Sequence, residues 1–202
     1  MKTLKKIGKY ITIGFVSLLI MSLIIGIIWG EKPVESGQKI EYQIISERDS
    51  SITGRKRISI HILSKQVTDF ETRAIVVMQA AQDLYKRTSC QVCTATLEIS
   101  KALSQKGYYL SNAIFINDKK GNSGEQKSKR WNVSSSAISP PTTKEINIIE
   151  SVMIRSGDTT EKEKIQETAR KLKVTKSYIN QLILRIVFAE KKSFIFKKRV
   201  EP

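Results

Sequence analysis

The chain is poor in the residues from which metal and redox sites are usually built. It has one histidine, His61, and two cysteines, Cys90 and Cys93, in 202 residues. A structural zinc site takes about four ligands, so this set is too small for one. The ten glycines are scattered, and no glycine-rich loop that could cradle a phosphate is present. Paired carboxylates suited to hydrolysis are not recognisable, because Glu47 and Asp49 fall in turn-like sequence. These absences lead to the expectation of no cofactor, no metal and no enzymatic activity. Negative charge is missing too: no Asp or Glu precedes Glu31.

Positive charge is abundant. The whole chain carries 35 basic and 19 acidic residues, net +16. Four of the basic residues (Lys2, Lys5, Lys6, Lys9) precede Glu31, so residues 31–202 hold 31 basic against 19 acidic, net +12. Such a surface suits anionic partners, or serves solubility alone. The basic runs Arg55–Arg57, Lys127–Arg130 and Lys197–Arg199 lack the interleaved aromatics of a single-strand binder.

Tyr10–Gly30 (YITIGFVSLLIMSLIIGIIWG) runs for 21 residues without a charge. At about 1.5 Å per residue a helix of that length spans roughly 30 Å, the thickness of a bilayer core. The run exceeds the 7–15 apolar residues, roughly, of a cleaved signal peptide. The expectation is a single transmembrane helix at 10–30 in contact with membrane lipid, preceded by a basic cytoplasmic segment at 1–9. Four lysines before the span against Lys32 and Lys39 after it place the N-terminus in the cytoplasm and the remainder outside. In a Gram-negative cell that is the inner membrane with a periplasmic domain.

After a linker at 31–38, alternation at Ile40, Tyr42 and Ile44, and again at Ile58, Ile60 and Ile62, predicts two strands paired as a hairpin around a turn at 48–54. Thr68 with Glu71 predicts a capping box. It opens a helix whose stripe Phe70, Ala74, Val77, Met78, Ala81, Leu84 and Tyr85 faces the sheet. Strands follow at 92–99 and 108–116. The fold class expected is α+β: a transmembrane helix, a ββαββ sheet domain at 39–117 with one packed helix, a flexible linker at 118–141, and a C-terminal three-helix module at 142–202. Its helices are capped by Thr142, Thr160 and Thr175. The tail from Phe188 to Val200, apolar and basic together, suits either a strand or contact with lipid.

The stretches YQIISERD, GRKRISIHI and FETRAIVVMQAAQDLYKRT resemble an uncharacterised bacterial family of small membrane-anchored proteins, a domain of unknown function. The resemblance implies a strand, a turn and a basic strand ahead of an Ala-rich helix. It implies no activity.

Three motifs bear on function. Cys90 and Cys93 form C-x-x-C, but after a helix and before a strand, the reverse of the order used in thiol redox catalysis. Two readings stay open: buried or free thiols, or a local disulfide if the pair lies in a turn. His61 sits on the polar face of its strand with no partner that spacing can name, and reads as a solvated or edge histidine. The segment ETARKLKVTKSYINQLILR resembles a helix-turn-helix unit, with Ala169 at the helix contact and Leu172, Val174, Ile179 and Leu182 at packing positions. Lys173 stands where that motif usually has glycine. The resemblance implies that Lys176, Ser177, Asn180 and Gln181 would face a major groove. The expected topology puts this unit across the membrane from the genome. The leading expectation is therefore an accessory or interaction protein of the bacterial cell envelope, with a protein partner there. The alternative is a membrane-tethered DNA-binding protein using residues 160–190.

Overall fold

A computed structural model describes residues 39–118, 120–121, 129–154 and 160–193. The strands are β1 Gln43–Asp49, β2 Arg57–Leu63, β3 Val92–Glu98, β4 Tyr109–Ile116, β5 Trp131–Ser136 and β6 Lys191–Ser193. The helices are α1 Phe70–Thr88, α2 Thr143–Met153, α3 Glu161–Leu172 and α4 Lys176–Ile186. The strands form one sheet in chain order, β1-β2-β3-β4-β5-β6. All neighbours are antiparallel except β2 and β3. A parallel pair needs a crossover, and α1 supplies it.

Register explains the core. Ile60, Ala95, Ala113 and Val133 are partners across four strands, and so are Ile58, Cys93, Phe115 and Trp131. These rows share the face that α1 covers. Ala74, Val77, Ala80 and Ala81 are buried there and let the helix approach closely. Fully burying one Ile such as Ile60 contributes about 2 kcal/mol. Tyr85 of α1 meets the Phe115 ring edge-on at 5.0 Å, and Trp131 packs beside it at 4.7 Å. Ahead of β1, Gln79 holds Ile40 by both backbone groups, at 3.0 Å each.

The sheet's other face carries polar rows. Ser46, His61, Thr96, Asn112, Ser134 and Ser193 are partners in succession across all six strands. Asn112 Nδ2 donates to Thr96 Oγ1 at 2.9 Å within that row.

The expected architecture is corrected in three respects. The sheet has six strands rather than four, because β5 forms inside the expected linker and β6 follows the last helix. The three C-terminal helices pack mainly on one another, yet β6 pairs with β5 and stitches their far end to the sheet. The transmembrane helix expected at 10–30 lies outside the described residues, and no helix among the described residues is long and apolar enough to cross a membrane.

Smaller differences are local. β1 runs from Gln43, so the alternation beginning at Ile40 belongs partly to the approach to the strand. The cap of α1 is Asp69 rather than Thr68. Its carboxylate accepts from the backbone of Glu71 and Thr72, both at 2.9 Å, and Thr72 Oγ1 closes the box.

Candidate functional site

The C-terminal helices form two capping boxes and one sharp turn. Thr142 with Glu145, and Thr160 with Glu163, satisfy backbone donors at the starts of α2 and α3. α3 ends at Lys173, which takes the left-handed conformation with φ 52°. Val174 N–H then bonds Ala169 O at 3.0 Å. Glycine is the residue that adopts this geometry without strain, which is why the motif prefers it here. Thr175 caps α4. Ala169, Ile179, Leu182 and Ile183 are buried where α3 and α4 meet.

Lys176, Ser177, Asn180 and Gln181 are all exposed, on the outer side of α4. Lys176 Nζ donates to Gln166 Oε1 at 3.2 Å. The same helix and its end expose large apolar groups, with Tyr178 at 38%, Leu184 at 65% and Phe188 at 64%. The sequence pattern singled out the polar four and, through the tail beginning at Phe188, one of the apolar groups, but not Tyr178 or Leu184. Their signal was available, since Ile179, Leu182 and Ile186 already fill the inner face.

Cys90 and Cys93 are bridged, with Cα atoms 5.8 Å apart. Cys90 lies in the turn after α1 and only Cys93 is within β3. That removes the obstacle two cysteines in one strand would meet. Both are buried.

His61 does have a fixed partner. Its Nδ1 is 2.5 Å from Glu98 Oε1, and Glu98 is 3% exposed. Gln105 N–H also donates to Glu98 Oε1 at 3.3 Å, and Gln105 Nε2 donates to Ser46 Oγ at 2.9 Å. Glu98 stands one pleat beyond Thr96, the parallel partner of His61. Sequence spacing does not encode that pairing, so Glu98, Gln105 and Ser46 were missed. Among the described residues no group of three or more His, Cys, Asp or Glu side chains could hold a metal.

The molecule is thus an α+β sheet protein with one crossover helix and a capped tri-helical unit. The chain belongs to the family described as domain of unknown function DUF4875, which matches residues 37–182. The match includes the stretch on which the sequence resemblance rested. A crystal structure of a DUF487 family protein from Desulfovibrio piger ATCC 29098 is similar in fold, with TM-score 0.60 and 21% identity, covering 76% of this chain and 94% of that one. Among curated proteins no match was found.

Proposed function

We propose that the chain is an accessory protein of the cell envelope that acts by binding another protein, through the outer face of α4. The observation that carries this reading is the pair Leu184 and Phe188, four residues apart and both exposed, at the end of α4. Clustered exposed apolar groups with a polar rim are characteristic of interaction sites. Lys173 and Lys176 supply basic groups beside it, so the partner is expected to present an apolar patch edged by acidic residues. Placement outside the cytoplasm is supported by the Cys90–Cys93 bridge, since oxidising compartments preserve such bonds, and by the lysine asymmetry around residues 10–30.

The test is a photo-crosslinking amino acid at Leu184 in living cells, compared with one at Lys162 on the exposed side of α3. A discrete adduct from position 184 and none from 162 is expected. Equal yields at both, or none at 184, would sink the reading.

A second reading, DNA binding, is favoured by the left-handed turn at Lys173, which gives α3 and α4 the helix-turn-helix form. It expects the full-length protein to retard duplex DNA, with affinity falling steeply in salt and weakened by Lys176→Ala. A C-terminal alkaline phosphatase fusion that is active outside the cytoplasm would remove it.

A further inference from the structure

The geometry points to an acyl-transfer site on the sheet face opposite α1, with Ser46 as nucleophile, His61 as general base, Glu98 as positioning carboxylate and Gln105 as oxyanion donor. It is independent of the α4 surface.

Four observations converge on these residues. First, Glu98 accepts from His61 Nδ1 at 2.5 Å. A carboxylate only accepts, so in the neutral ring Nδ1 carries the proton and Nε2 holds the free lone pair, the state a general base needs. Second, Ser46 is the direct cross-strand partner of His61, and the register shift between Ile44 and Ser46 is a bulge immediately before it. Bulges re-aim side chains and are common beside active sites. Third, Gln105 has φ 63° without being glycine. Such local strain persists where the surroundings require it, and here it lets one residue reach both Glu98 and Ser46. Fourth, Glu98 Oε2 is buried with no hydrogen-bond partner among the described residues. Leaving a carboxylate oxygen so placed is costly.

The chemistry follows the order of the strands. Ser46 Oγ forms a bond to the acyl carbon of an ester, and its proton passes to His61 Nε2. The ester C–O bond breaks, and the leaving alkoxide takes that proton as an alcohol. Water repeats the cycle on the acyl-serine, releasing a carboxylic acid and restoring Ser46. Gln105 Nε2, already 2.9 Å from Ser46 Oγ, donates to the oxyanion that develops on the acyl oxygen. In the resting arrangement Ser46 Oγ accepts from Gln105 Nε2, and the proposed step requires the hydroxyl to turn to His61. The substrate class is a carboxylic ester.

The experiment uses a fluorophosphonate probe on the full-length protein, with the modified residue located by mass spectrometry. The activated hydroxyl displaces fluoride from phosphorus, so labelling reads the nucleophile directly. Labelling is expected at Ser46, absent in Ser46→Ala, and slowed about 100-fold or more in His61→Gln. Glu98→Gln is expected to lower the limiting rate of labelling about tenfold, leaving the half-saturating probe concentration unchanged, which a general loss of structure would not do. Circular dichroism confirms that each variant is folded. No label on Ser46 in the folded wild type, or equal rates in wild type and His61→Gln, overturns the assignment.

Discussion

Arg73 carries a charge into the interior with no carboxylate in hydrogen-bond contact. It is fully buried on α1. Its Nη1 donates to Ser136 O at 3.0 Å and to Ser136 Oγ at 3.2 Å. Burial holds the guanidinium pKa below its ordinary value, with Asp69 opposing that shift. The contacts tie the start of α1 to the end of β5, and Ser135 Oγ adds a bond to Phe70 O at 2.9 Å. Arg73→Ala should therefore destabilise by about 3–5 kcal/mol, from the cavity and the polar groups left behind. Arg73→Met should cost less, because it refills the volume. Guanidinium denaturation of the two variants checks the order. Lys173 gives the opposite expectation. Its left-handed backbone is strained for any residue with a Cβ, so Lys173→Gly should stabilise by about 0.5–1 kcal/mol despite the added unfolded-state entropy. A lower midpoint in the same assay would contradict the turn geometry.

At the scale of the element, the helices are fixed at their starts by carboxylates. Hydrogen bonds from the Thr72 backbone lead the effects that lower the Asp69 pKa. Those from Thr160 lower Glu163. Burial raises Glu145, but Thr142 and Arg185 together outweigh it and leave that carboxyl lowered too. A carboxylate whose folded pKa is depressed contributes stability above its unfolded pKa and loses it as pH falls through the folded value. The fold should therefore lose thermal stability below about pH 4. Asp69→Asn retains a good cap but nothing to titrate, so its melting temperature should fall less steeply across that range. Melting followed by circular dichroism from pH 7 to pH 3 decides this. The elements also differ in how well sequence announces them. β2 and α1 were legible because their apolar residues repeat at two and at 3.6 (roughly) positions. β5 was not. Trp131-Asn-Val-Ser-Ser-Ser136 has weak strand preference and sits among linker-like residues, and what holds it is the pairing with β4 and the hydroxyl contacts under α1. The His61 site was hidden for a related reason, since its partner comes from a parallel neighbour brought in by the crossover.

At the scale of the whole molecule, the sheet and the C-terminal helices differ in how firmly they are built in. β3 is paired on both sides and lies under α1. α2, α3 and α4 hold one another through Ile148, Ile149, Ile179 and Ile186, and Arg185 reaches Glu145 across them. Their link to the sheet includes the three-residue strand β6. Regions with fewer long-range contacts open below the global free energy. In native-state hydrogen exchange, the amides of Ala95, Leu97 and Ala113 should thus exchange by global unfolding, and those of α3 and α4 through a smaller opening. Ile179→Ala removes a fully buried side chain of α4. It should speed exchange throughout α2–α4 by an amount set by its loss of about 2–5 kcal/mol, while β3 and β4 keep protection near that of the parent. Equal acceleration in both regions would mean that a single cooperative unit includes the α4 surface. An interaction surface on a separately opening unit could order or loosen with its partner while the sheet, and the Ser46, His61 and Glu98 side chains upon it, stay fixed.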